Sequence, residues 1–232
     1  MVSIDLLTGP EKLRETVQRL GLLPFFKNEV PGFSIAEHTP PQLWFSDTEE
    51  GPWEWKGPIA RAGDCVYGKF FSGRAGFISR DLFPVFANYR RNGYDFDALY
   101  DDGFAPRADK QIYDVLARHG SLLSRELKTL SGYGKGGEKG FDPRITRLQM
   151  ESYVIIADFE YMRDKLGREY GWGVARYATP EAVFGADFMA EAYREDPAVS
   201  RAKVYARLRA ICPEAKEKQL IKLLGDPVGA AL

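Results

Sequence analysis

The chain has 232 residues, 44% hydrophobic and 13% aromatic, with a formal net charge of -1. That composition excludes a disordered or fibrous chain and gives length for one large core or two small ones. The near-neutral balance excludes a global positive field, so any nucleic-acid contact has to come from local clusters of basic side chains.

A first helix is predicted from Thr8 to Leu20, where Leu13, Val17 and Leu20 share one face. Pro24 to Pro41 reads as irregular chain, broken by Pro31, Gly32 and the Pro40-Pro41 pair. An aromatic block follows, Trp44-Phe45 and Trp53-Glu-Trp-Lys56, set around the acidic turn Asp47-Thr-Glu-Glu-Gly. Val66 to Phe71, Ser72-Gly73 and Ala75 to Ser79 spell a β-hairpin. Asp81 is placed to cap a helix reaching Arg91, and the polar, acidic stretch from Asn92 to Pro106 reads as a connector.

Residues 107 to 180 then run helix, helix, glycine-rich loop, helix, strand, turn, strand, which is the plan of a winged helix. Ile112, Val115 and Leu116 mark the first helix, and His119-Gly120 ends it. Ser124 offers an N-cap for Arg125 to Leu130, and Asp142-Pro143 is a start signal for a third helix through Glu151. Tyr153 to Ala157 and Val174 to Ala178 are the strands, with Arg163-Asp-Lys-Leu-Gly-Arg as the tip of the wing. A helix is expected around Glu181, and Ala198 to Ile211 and Glu214 to Leu224 pair as a helical hairpin. The predicted class is α+β, mainly helical with a winged-helix unit and small antiparallel hairpins. Three regions are expected: 1–94 with the aromatic block, 107–185 as the winged helix, and 186–232 as the helical hairpin.

Several constellations bear on chemistry. Gly132-Tyr-Gly-Lys-Gly-Gly contains G-x-G-x-x-G, with Asp158 at a ribose-binding distance downstream, but a helix and not a strand leads into it. A flexible linker or a loop meeting a phosphate backbone fits it better. The acidic run Asp95 to Asp102 loses the EF-hand register after Asp97 and reads as a solvated connector. Two distant cysteines, Cys65 and Cys212, and two histidines, His38 and His119, lack ligand spacing, so no metal, no cofactor and no disulfide framework is expected. No apolar run reaches membrane-spanning length, and a cytoplasmic location without membrane contact is expected.

Arg125, Lys128, Lys135, Lys139, Arg144 and Arg147 crowd one stretch, with Glu138 and Asp142 the acids between Lys128 and Arg147. Arg144 and Arg147 sit one turn apart and opposite Ile145 and Leu148, so both are expected to face outward. The DNA-binding candidates are therefore Lys135, Lys139, Arg144 and Arg147, with Arg163, Lys165 and Arg168 on the wing. Trp53 and Trp55 beside Glu54 allow either core packing or stacking of an extruded base next to an acid that activates water.

The order of these segments resembles a known family. Phe77-Ile-Ser-Arg-Asp-Leu-Phe-Pro-Val-Phe-Ala-Asn-Tyr-Arg-Arg, Ile112 to Leu127 and Val174-Ala-Arg-Tyr-Ala-Thr-Pro-Glu are similar to the winged-helix DNA glycosylases typified by the AlkZ crosslink-unhooking enzymes, over roughly residues 65 to 185. The resemblance implies winged-helix units around a concave surface for double-stranded DNA, and removal of alkylated bases without a metal. It also implies an N-terminal Gln-x-Gln or Gln-x-Asp pair that positions the attacking water. This chain has none, since Gln18 is followed by Leu20 and Gln42 by Trp44 at the required spacing. The reading is a duplex DNA-binding relative without that catalytic pair. The alternatives are a divergent glycosylase using Glu54 or an acid of the 47–50 turn, and a protein-interaction module.

Overall fold

The computed structural model describes residues 2–45, 49–163, 165–167 and 169–225, with the backbone alone at 162, 163 and 169–172. The fold is α+β and centres on one antiparallel sheet. Its strands are β1 (Leu22–Pro24), β2 (Cys65–Phe71), β3 (Arg74–Ser79), β4 (Ser121–Leu123), β5 (Ile155–Arg163) and β6 (Glu169–Ala178). Their order across the sheet is β1-β3-β2-β5-β6-β4.

The two hairpins arise locally. Between β2 and β3, Ser72 and Gly73 adopt φ of 48° and 78°, and Phe71 pairs with Arg74 across them. Two positive φ values in a two-residue loop match the twist of the strands they join. Strands β5 and β6 pair from Ile155↔Ala178 out to Arg163↔Glu169. The two hairpins meet where Tyr67 pairs with Ile156, which makes the sheet continuous.

The helices around the sheet are α1 (Pro10–Leu20), α2 (Ile35–His38), α3 (Pro52–Ala62), α4 (Phe83–Arg91), α5 (Phe96–Asp101), α6 (Arg107–His119), α7 (Ser124–Leu130), α8 (Phe141–Met150), α9 (Pro180–Phe184), α10 (Ala186–Ala190), α11 (Pro197–Ile211) and α12 (Glu217–Leu224). One hydrophobic cluster joins Leu13 and Val17 of α1, Phe77 of β3, Phe86 of α4, Leu116 of α6, Leu148 of α8 and Leu223 of α12. Residues 92–106, read as a connector, contain α5, whose Phe96 and Leu99 enter that core.

Several start signals act one or two residues away from their expected places. Asp81 does not cap α4, because Leu82 holds the cap position. Leu123, not Ser124, precedes α7, and Glu126 closes that end by accepting from Leu123 N at 2.8 Å. Helix α8 begins at Phe141 after a left-handed Gly140, so Asp142 lies inside the first turn and pairs with Lys128 at 3.0 Å. The last helix starts at Glu217 and not Glu214. The strands β1 and β4 have no counterpart in the sequence reading. Each is three residues long and exists through pairing with β3 and β6 respectively.

Candidate nucleic-acid interface

Helix α8 forms because Ile145 and Leu148 return to one face and bury at 2% and 0% exposure. Its other faces are also engaged. Toward β2, Lys69 Nζ donates to Thr146 Oγ1 at 3.1 Å, and Lys69 N donates to Gln149 Oε1 at 3.2 Å. Toward α6, Arg144 Nη1 donates to Asp109 Oδ1 at 3.1 Å, and Arg147 Nε donates to Asp109 Oδ2 at 2.7 Å. Arg147 Nη2 binds the same carboxylate. Asp109 is only 1% exposed, whereas the side chains of Arg144 and Arg147 keep 34% and 42% of their surface.

The two arginines therefore face away from the core as the periodicity implies, but another helix meets them there. They fix α8 against α6, and only their outer surfaces and the exposed first turn at Asp142 and Pro143 remain open to a ligand. A helix held on three sides does not enter a major groove along its length. Contacts to phosphate from its N-terminal end fit this packing better.

Glu151, at the C-terminal end of α8, completes the cluster with a carboxylate oxygen 3.9 Å from Arg147 Nε. Burial pushes its pKa up from 4.5 to about 7, with Arg147 and Arg90 opposing and Asp109 assisting the rise. A carboxyl with a raised folded-state pKa stabilises the fold below its unfolded value. That stability is lost as pH climbs from 4.5 through about 7, a change on the order of 3 kcal/mol for a side chain 16% exposed. Glu151→Gln is expected to match the wild type near pH 4.5 and to melt higher than it at pH 8. Equal melting temperatures at pH 8 would contradict that assignment.

The loop before α8 explains its glycines by its own folding. Gly132 and Gly136 have φ of 81° and 80°, and a Cβ on Gly137 would lie 2.1 Å from the Gly132 carbonyl oxygen. The amides of Tyr133, Gly137 and Glu138 donate to Lys128 O, Gly134 O and Gly132 O at 2.7, 2.9 and 2.9 Å. The expected row of bare N–H groups is thus largely spent within the loop. What the loop offers instead is Lys135 and Lys139, both exposed. Asp158 is held by Arg61 of α3, with Nη2 at 3.0 Å from Oδ1, which ties it to the sheet and not to a nucleotide.

On the β5–β6 hairpin, Lys165 is exposed. The Arg163 side chain and Arg168 fall outside the described residues, as do Asp47 and Thr48 of the acidic turn.

The aromatic block is packed at the base of that hairpin. Trp55 is 2% exposed, so it has no open face for a base. Trp53 is half-buried, with ring centroids 5.4 Å from Phe25 and 5.9 Å from Trp44. Its carbonyl accepts from Tyr161 Oη at 3.1 Å and from Lys56 Nζ at 2.5 Å. Lys56 Nζ lies 4.4 Å from the centroid of the Phe159 ring, and burial lowers its pKa to about 8 against the pull of Glu54. Sequence reasoning gave Lys56 no role, although an unpaired lysine amid tryptophans was the available signal. Glu54 closes the start of α3, accepting from Gly51 N at 2.8 Å.

Of the acidic run, Asp95 caps α5 through Ala98 N and Asp97 lies 3.2 Å from Lys110. Among the described residues no group of His, Cys, Asp or Glu is arranged to hold a metal ion. No helix among them is long and apolar enough to cross a membrane. Cys65 and Cys212 are free and buried, with burial raising their thiols to about 12 and about 11.

A family model described as AlkZ related matches residues 7–225. No curated protein and no solved structure gives a match.

Proposed function

The chain belongs to the AlkZ-related family, and from that premise we propose that it holds duplex DNA through phosphate contacts without carrying the family's water-activating glutamine pair. The observation that carries the reading is the run α6–β4–α7–α8–β5–β6, in which β4 pairs with β6 at Leu122↔Tyr177. A short first strand added to a closing hairpin is the arrangement of a winged helix. It places the loop lysines Lys135 and Lys139 at the entry to α8 and Lys165 at the wing. Arg144 and Arg147 add their outer N–H groups, and Arg163 and Arg168 add charge on the wing by their sequence positions.

The absence of catalysis is supported by what the candidate groups already do. Gln18 donates to Asp64 at 2.8 Å, and Glu54 is committed to the cap of α3. Trp55 is core, which leaves Trp53 as the only tryptophan of the pair with exposed surface.

The test is a fluorescence-anisotropy titration against a labelled duplex at two salt concentrations. Log affinity is expected to fall linearly with log salt. The Lys135→Glu, Lys139→Glu, Lys165→Glu triple variant is expected to lower that slope by roughly 0.9 per lysine. No binding at low salt, or an unchanged slope in the triple variant, would sink the proposal. Release of abasic sites from alkylated duplex by the wild type would replace it with the divergent glycosylase reading.

A further inference from the structure

The tip of the β5–β6 hairpin carries an apolar residue for which the fold has no use. Leu166 is 76% exposed. It follows the exposed Lys165 and precedes Gly167, whose φ of 79° makes the turn. The base of the hairpin is fixed, since Tyr161 Oη donates to Trp53 O at 3.1 Å and Lys56 packs over the Phe159 ring. Five residues separate Tyr161 from Leu166, and extended chain of that length spans about 16 Å. A DNA minor groove is about 7.5 Å deep, so a hairpin anchored in this way reaches its floor.

The chemistry at the tip is specific in kind. A cation next to an exposed branched aliphatic side chain, with Arg163 and Arg168 flanking it in sequence, complements a phosphate rim around an apolar stack. Proteins that kink DNA from the minor groove insert such side chains between base steps. With α8 held between α6 and β2, the hairpin tip is also the apolar group best placed to enter the duplex. We propose that Leu166 is a wedge that inserts between adjacent base pairs while Lys165 engages the neighbouring phosphate. The inference rests on the DNA-binding reading above.

The experiment uses the full chain and a duplex containing 2-aminopurine, with anisotropy read alongside the 2-aminopurine emission. Wild-type binding is expected to raise the emission as the base unstacks. Leu166→Ala is expected to remove most of that rise while leaving Kd within about threefold, because the wedge carries no charge. Leu166→Phe is expected to keep the rise. Leu166 is at the surface, so neither change threatens the core. Binding without any rise in emission, or a full rise with Leu166→Ala, overturns the wedge and leaves DNA binding standing. No change in anisotropy with the wild type overturns both.

Discussion

Replacing Arg144 and Arg147 together by alanine is expected to cost about 3–5 kcal/mol of folding stability, read as a shift in urea midpoint at pH 7. Asp109 is 1% exposed and is held by these two guanidiniums. Removing them leaves a buried carboxylate without a counter-charge, which is far more costly than removing the whole cluster. Either single variant keeps one arginine on the carboxylate and is expected to lose less than half as much. Adding Asp109→Asn to the double variant removes the stranded charge and is expected to recover most of the loss. A double variant within about 1 kcal/mol of wild type would contradict the clamp, as would a triple variant no better than the double. The result also decides how binding is tested. Charge reversal at Arg144 or Arg147 perturbs the α6–α8 contact, so a loss of DNA affinity there does not isolate phosphate contact. Lys135, Lys139 and Lys165 are exposed and give a cleaner measurement.

The same clamp shows what the sequence could and could not carry. Helix α1 and the β2–β3 hairpin were legible because their signals are local: a 3.6-residue period in one, and the Ser72-Gly73 turn in the other. The α6-to-β6 order was legible for the same reason. Periodicity assigned Ile145 and Leu148 to the core of α8 and Arg144 and Arg147 to the far side, and that is where they lie. It gave no hint that Asp109, 35 and 38 residues earlier, would meet them there. A charged residue in a polar helix position looks solvated until a second helix is placed beside it. β1 and β4 were invisible because three residues have no period of their own and their stability comes from distant partners. The Trp53-Glu-Trp-Lys56 block offered two readings, and only the position of β5 separates them. Phe159 and Tyr161 turn it into the footing of the wing.

Arg90→Lys is expected to destabilise the fold almost as much as Arg90→Met, by about 3–5 kcal/mol, although it keeps the charge. Arg90 is 1% exposed and lies on α4. Its Nε donates to Met150 O at 2.8 Å, and its Nη1 donates to Leu224 O and Gly225 O at 3.0 and 2.9 Å. The first carbonyl ends α8 and the next ends α12, so one planar fork satisfies the last turns of two helices at once. Those ends carry partial negative charge and lack helical donors, which is how a buried cation survives there although burial lowers its pKa. An ammonium is a point donor and cannot span both helix ends, and methionine fills the volume with no donor at all. Each leaves buried carbonyls without a partner at about 1–3 kcal/mol apiece. Hydrogen exchange gives a second, local readout: amides of Glu217–Leu224 are expected to exchange faster in both variants. An Arg90→Lys protein with wild-type stability and wild-type protection in that helix would show that charge alone, and not the fork, holds α8 and α12 to α4.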